Sequence, residues 1–161
     1  MSEPLLDLLQ TLREETDSYR TLARLAAEQK GILVSSKLEG LQENVRKQEK
    51  VMFGLGPLAD NRQRQLDEVA RSLGLKKPKV SEVAGRLPEA EGKLLLTAAN
   101  DLMAAAHGLE AVNHVNGKLL ENAQAYAKFT VEAFRGKAAE RSTAPAHKPI
   151  DRGTSSFNQV I

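Results

Sequence analysis

The chain contains no cysteine and no tryptophan, and aromatic residues make up only 4% of its sequence. Without cysteine it cannot form a disulfide, a thiolate metal site or a cysteine nucleophile. The scarcity of aromatic residues disfavours an aromatic-rich β-sandwich or β-barrel. The 161 residues suit a single domain, and they are rich in Leu, Ala, Glu, Lys, Gln and Arg, which favour helices. Composition therefore predicts an all-α protein.

The sequence also lacks the roughly 20 consecutive apolar residues that a membrane-spanning helix needs. Its first ten residues carry Glu3 and Asp7 and have no basic n-region, so we expect neither a signal peptide nor stable membrane insertion. These absences are compatible with the cytosol. The 23 basic and 21 acidic residues are nearly balanced and interspersed, which disfavours nucleic acid as a partner.

Apolar residues recur at spacings of three and four, which predicts three long helices, about 3–33, 36–73 and 88–134. A short connecting helix is predicted at about 79–86. We expect an antiparallel bundle or coiled coil within a helical domain of residues 1–136. Residues 137–161 are polar, contain Pro and Gly and lack periodicity, so they are predicted to form a flexible tail.

Three local features qualify this prediction. Ser36 and Glu39 have the spacing of a capping box, so the second helix is expected to begin at Ser36. Pro57 lies inside that helix and predicts a kink, although the apolar seam keeps its phase across it. Gly74 is placed to end the helix in the left-handed conformation.

Few residues suggest chemistry. The sequence has no phosphate-binding glycine motif and no nucleophile elbow, so we expect no enzyme and no cofactor. His107, Glu110 and His114 share one side of the last helix, but the second Glu-x-x-His motif of di-metal bundles is missing, so a metal enzyme is disfavoured. The cluster Arg71, Lys76, Lys77 and Lys79 is predicted to be a solvated loop, with phosphate or an acidic partner surface as the less favoured alternative.

The order of the helices, together with several short patterns, resembles the FlgN-type flagellar export chaperones. The patterns are Leu8, Leu12, Glu15, Tyr19, Leu22 and Leu25; the run 37–41, followed by Glu49 and Arg62; residues 73–75; and Leu109, Asn113, Asn116, Leu119 and Leu120. The resemblance implies a cytosolic chaperone that binds hook-associated junction proteins through their C-terminal helical segments. It also implies delivery to the cytosolic domain of the flagellar export gate, without metal or ATP.

In a three-helix arrangement, the end of the longest helix is expected to be left partly uncovered, so we predict client binding there. Asn113 and Asn116 are predicted to set the register of the client. The predicted apolar contacts are Leu119, Leu120, Ala123, Tyr126, Ala127, Val131 and Phe134. The family's contact with the export gate often uses an aromatic residue, and Tyr126 and Phe157 are the two candidates.

A competing interpretation is that the chain is a structural protein and not a chaperone. The regular seam from Leu38 to Leu73 is also typical of a self-assembling structural coiled coil or helical bundle with no secretion client. Such a protein would bury its apolar stripes against copies of itself, whereas a chaperone is expected to be a monomer or at most a weak homodimer.

Overall fold

The structure is a computed structural model that describes the backbone of residues 1–134 and the side chains of residues 1–118. Four helices follow one another: α1 (Glu3–Ser35), α2 (Leu41–Ser72), α3 (Val80–Arg86) and α4 (Glu89–Phe134). No strand occurs within these 134 residues, so the predicted all-α class is confirmed. The predicted tail, 137–161, lies outside the described residues.

Helix α1 is the common partner of the other two long helices. Arg62 of α2 bonds to Glu15, and Asn44 bonds to the carbonyl of Leu25, so α2 runs antiparallel to α1. The α-amino group of Met1 lies 3.5 Å from Glu91, and Asn116 bonds to the carbonyl of Ala26, 90 residues away, so α4 runs in the same direction as α1.

The bundle of long helices is not closed. Among the residues that the structure describes, no Cα atom of α2 comes within 8 Å of a Cα atom of α4. The antiparallel bundle expected from the sequence is therefore present only in part: α2 and α4 both pack on α1, and within the described residues their backbones do not approach each other.

The main hydrophobic core lies at the end of the molecule that contains the start of α1, the end of α2 and the start of α4. Helix α3 completes it, with Val80 and Val83 buried. The core comprises Leu5, Leu8, Leu9, Leu12, Leu66, Val69, Ala70, Val80, Val83, Ala84, Leu95, Ala99 and Leu102. We call this the closed end.

Gly92 lets α3 pack tightly on α4. A Cβ atom at position 92 would lie 2.4 Å from the backbone oxygen of Ala84, which is closer than any real Cβ contact. The absence of a side chain at Gly92 therefore brings the two backbones together, as the short α3 requires to bury its apolar face.

The predicted start of the second helix is wrong. Ser36 is the C-cap of α1, with φ +57° and its N–H bonded to the carbonyl of Leu33, and α2 begins five residues later at Leu41. Gly40, with φ +82°, precedes it. The Ser36–Glu39 pattern was outweighed because the hydroxyl of Ser35 accepts a bond from the N–H of Lys37, which turns the chain away from a helix there.

The end of α2 agrees with the prediction. Gly74 has φ +72°, the N–H of Gly74 bonds to the carbonyl of Arg71, and the N–H of Leu75 bonds to that of Ala70. This is a Schellman motif, and it is fixed further because Leu75 packs against the core. Helix α2 is continuous through Pro57, as the sequence predicts, while the kink stays a prediction.

Candidate functional site

The molecule differs sharply between its two ends. At the closed end, α3 contacts both α2 and α4 and fills the space between them. At the other end, the last part of α1 carries the start of α2 on one side and the middle of α4 on the other. Among the described residues, no further helix lies between these two helices at this end. We call this second region, residues 19–58 with 106–134, the open end.

One heptad position of α2 is buried at the closed end and exposed at the open end. Val45, Met52, Ala59 and Leu66 are spaced by seven residues and therefore lie along one side of the helix. Leu66, at the closed end, is 0% exposed, whereas Val45 and Met52 are 36% and 42% exposed. The apolar seam of α2 therefore continues beyond the packing that covers it.

Other apolar side chains at the open end are also exposed. Val34, in the last turn of α1, and Leu38, in the connection to α2, are both more than half exposed. Val45 and Met52, on one side of α2, form the apolar surface of this end, and Val34 and Leu38 are exposed at the hairpin that precedes it in the sequence. Phe53 is 88% exposed but follows Met52 by one residue, so it points away from α1 and does not belong to this surface.

A layer of amide side chains lies beneath the open end. The Oε1 atom of Gln29 accepts bonds from Gln48 Nε2 at 2.9 Å and from Asn116 Nδ2 at 3.5 Å. Gln48 also donates to Asn44 Oδ1 at 2.7 Å. The amide layer therefore connects α2 and α4 through α1, although the two backbones remain apart.

Two asparagines of this layer bond to neighbouring backbone carbonyls of α1. Asn44 Nδ2 donates to the oxygen of Leu25 at 2.8 Å, and Asn116 Nδ2 donates to that of Ala26 at 2.6 Å. Both side chains are buried. Each bond has one satisfactory position along α1, so the pair sets the register of both outer helices.

Asn116, one of the predicted client contacts, also has a role within the chain. Its amide nitrogen bonds to α1 and helps to set the register of α4, while its contact with a client stays a prediction. Its Oδ1 atom is buried and accepts no hydrogen bond from the described residues. Asn113, one turn earlier, is half-buried.

The remaining predicted client contacts lie where only the backbone is described. Leu119, Leu120, Ala123, Tyr126, Ala127, Val131 and Phe134 all belong to α4, which is helical to its last residue. With the 90-residue offset between α1 and α4, residue 125 is level with Ser35, the end of α1. Continued at the ideal helical rise, this offset would extend residues 126–134 about 13 Å beyond α1. Phe157 lies outside the described residues.

A buried ion pair separates the closed end from the open end. Arg62 Nη1 lies 2.6 Å from Glu15 Oε2, and Glu15 is 2% exposed. Burial raises the pKa of Glu15 to about 7, although the guanidinium of Arg62 acts in the opposite direction. Burial, assisted by the nearby Glu15, also raises the pKa of Tyr19, one turn further along α1.

The candidate metal residues do not converge. His107 Nδ1 lies 3.6 Å from Glu110 Oε2 at the surface, and His114 is exposed. Within the described residues, no three His, Asp or Glu side chains form a group that could hold a metal ion. None of the helices in this part of the chain is long and apolar enough to cross a membrane.

The family model described as FlgN protein matches residues 4–144, which include all four helices. The chain belongs to the FlgN family. No curated protein and no solved structure matches it.

Membership of the FlgN family places the chain among flagellar export chaperones and confirms the resemblance seen in the sequence. Several residues that carried the resemblance have structural roles in this FlgN protein. Glu15 and Arg62 form the buried pair, Tyr19 lies next to it, and Asn116 belongs to the amide layer.

Sequence reasoning missed the contribution of α2 to the site. Val45 and Met52 lie in the apolar seam that the spacing predicts, but spacing alone does not show which seam positions are covered. Only the placement of α3 on one half of α2 distinguishes covered from uncovered seam positions. Gln29 and Asn44 gave no signal of their own, because isolated amides on long helices are usually solvated.

Proposed function

We propose that this protein is a cytoplasmic chaperone that holds the C-terminal segment of a hook-associated junction protein as a helix at its open end, and then delivers it to the flagellar export gate. It acts by binding and not by catalysis. The observation that carries this proposal is the exposure of Val45 and Met52 on a heptad position that is fully buried at Leu66.

A helix is the guest that fits such a surface best. The uncovered residues continue a seam with helical spacing, so a guest helix can pack on α2 in the way that the chain's own helices pack at the closed end. The start of α2 and the second half of α4 both flank α1 here. A guest placed against them would complete the bundle that α2 and α4 leave open.

The energy of this contact suits a chaperone that must release its client. Complete burial of a Val, Leu or Met side chain contributes about 1.5–3 kcal/mol. If one guest helix covers the exposed parts of Val34, Leu38, Val45 and Met52, the chaperone side contributes about 3–6 kcal/mol. The client must also be ordered as it binds, which offsets part of the gain and favours a reversible complex.

The overhanging end of α4 supports the second part of the predicted client surface. If the 90-residue offset seen at Asn116 continues along α4, the end of α1 is level with residue 125, and we expect residues 126–134 to extend beyond it. Changing Leu120 and Phe134 to glutamate should weaken client capture while the helical circular dichroism is retained. Loss of the fold instead would show that these two residues belong to the core.

The decisive test uses the α2 surface. The double variant Val45→Glu/Met52→Glu should lose client affinity by about 100-fold, because both charges would be buried under the guest helix. Phe53→Glu is the matched control: it adds a charge to the same stretch of α2, on the side away from α1, and should leave affinity unchanged. Affinity is measured by titration with a purified hook-associated junction protein.

Two results would contradict the proposal. Equal client affinity of the double variant and the Phe53 control would remove the α2 surface from the site. A tight oligomer of the free protein that dissociates in the double variant and ignores the client would instead favour a self-assembling helical bundle. Light scattering of the same samples distinguishes these cases.

Export-gate docking is the part of the proposal for which the chain offers two candidates. Tyr126 belongs to the segment of α4 that extends beyond α1, and Phe157 lies outside the described residues. Single changes to alanine at each position, assayed for binding to the cytosolic domain of the gate, identify which aromatic residue serves this contact. If neither variant loses gate binding, the docking role of both is wrong.

A further inference from the structure

A basic surface lies at the closed end, far from the proposed client site. The connection between α2 and α3 and the adjoining helix ends carry Arg71, Lys76, Lys77, Lys79 and Arg86, all exposed. Glu82 is the one acidic residue within 71–86. This stretch therefore carries a net charge of +4, whereas the whole chain carries only +2.

These basic side chains have no ion pairs within the described part of the chain. Neighbouring bases do: Arg64 pairs with Glu68, and Lys93 pairs with Glu89. Glu82, the nearest acidic residue in sequence, instead accepts a bond from the backbone N–H of Lys79 at 3.2 Å. The positive charge of the connection is thus not neutralised locally.

The position of Lys79 is unfavourable for α3 itself. Lys79 is the N-cap of α3, where Ser, Thr, Asp or Asn would stabilise the helix start. The N-terminal end of a helix dipole is positive and repels a cation. A favourable interaction with the negative C-terminal end of the helix dipole can explain Arg71 at the end of α2. The same interaction cannot explain Lys79, which lies at the start of α3.

The backbone of the connection is held in a defined shape. The Schellman motif at Gly74 begins it, Lys77 has a left-handed φ of +46°, and the following Pro78 is buried. Leu75 packs against the core. The lysines therefore extend from a fixed base, which lowers the entropy that a partner would have to offset on binding.

We propose that Arg71, Lys76, Lys77 and Lys79 form a docking surface for an acidic segment of another protein. An anionic membrane is disfavoured because residues 71–86 expose no large apolar side chain that could insert into it. Nucleic acid is disfavoured because the stretch contains no aromatic residue on which a base could stack. The surface lies at the opposite end from the open end, so this partner and a client can bind together.

The test uses the full chain and a fluorescent peptide of about ten glutamates as the acidic probe. Lys76→Gln/Lys77→Gln/Lys79→Gln should weaken peptide binding about tenfold in low salt, measured by fluorescence anisotropy. The control, Lys37→Gln/Lys47→Gln/Lys50→Gln, removes the same charge from exposed lysines at the open end and should change affinity by less than about twofold.

Three outcomes decide the matter. Selective loss in the connection variant, with binding of the unchanged protein decreasing as salt is added, supports the acidic-segment site. Equal losses in both variants would show a response to net charge alone and would overturn it. The proposal would also be overturned if the protein bound phosphatidylglycerol vesicles but not the peptide, and if that vesicle binding depended on the three connection lysines. None of these readouts requires a client, so the client proposal stands or falls separately.

Discussion

The burial of Glu15 beside Arg62 predicts how the free energy of unfolding changes with pH. Burial raises the pKa of Glu15 from 4.5 in the unfolded chain to about 7 in the native protein. A native pKa above the unfolded value means that the folded protein binds the proton more tightly. The associated stability is fully present below pH 4.5 and is lost as the pH rises through about 7.

The magnitude follows from the size of the shift. Each pKa unit corresponds to about 1.4 kcal/mol, so a rise of about 2.5 units predicts a loss of about 3 kcal/mol between pH 4.5 and pH 8. Glu15→Gln keeps the shape of the side chain but cannot titrate. The measured quantity is the difference between the free energies of unfolding of the unchanged protein and of Glu15→Gln. This difference should fall by about 3 kcal/mol between pH 4.5 and pH 8 and should not change further at higher pH.

Urea denaturation of the two proteins at pH 5, 6, 7 and 8 measures this difference directly. Arg62→Met adds a second check, because it leaves the carboxyl of Glu15 without the guanidinium beside it. Removing one partner of a buried pair costs about 3–5 kcal/mol at high pH and less when the carboxyl is protonated. If the difference is constant, or rises with pH, the native pKa of Glu15 does not lie above its unfolded value and the reasoning is refuted.

Three further changes probe the fold. Gly92→Ala should destabilise the fold by about 2–3 kcal/mol, seen as a lower urea midpoint, because the new methyl group meets the backbone oxygen of Ala84. Gly85→Ala is the control and should not destabilise the fold, because the space around Gly85 is open. Equal effects of the two changes would contradict the close approach of α3 and α4 at Gly92. Gly74→Ala should lower the melting temperature, at a cost of about 1 kcal/mol for the positive φ, whereas Gly54→Ala in the exposed interior of α2 should raise it. Asn44→Ala should cost about 1–2 kcal/mol, measured by calorimetry, and unchanged stability would exclude a role in register.

Much of the fold could be predicted from local patterns. The long seam of α2, its continuity through Pro57 and the left-handed Gly74 all depend on residues close together in the sequence. The start of α2 was harder, since two signals competed within a few residues. The hydroxyl of Ser35 and the glycine at position 40 outweighed the capping-box pattern at Ser36.

The site depends on contacts that no local pattern shows. Glu15 and Arg62 are 47 residues apart, and their pairing follows from the antiparallel register of α1 and α2. The exposure of Val45 and Met52, in contrast to Leu66, depends on α3 packing against one half of the bundle only. The sequence predicts an apolar stripe on α2, but the uncovered half of that stripe is determined by tertiary packing.

Hydrogen exchange with and without a client tests the central claim most directly. The amides of residues 41–58 in α2 and 109–134 in α4 should exchange more slowly when the C-terminal segment of a hook-associated junction protein is bound, while those in residues 5–12, 66–73 and 80–86 should not change. Slower exchange confined to the closed end, or no change at the open end with the client bound, would contradict the claim that a guest helix completes the packing there.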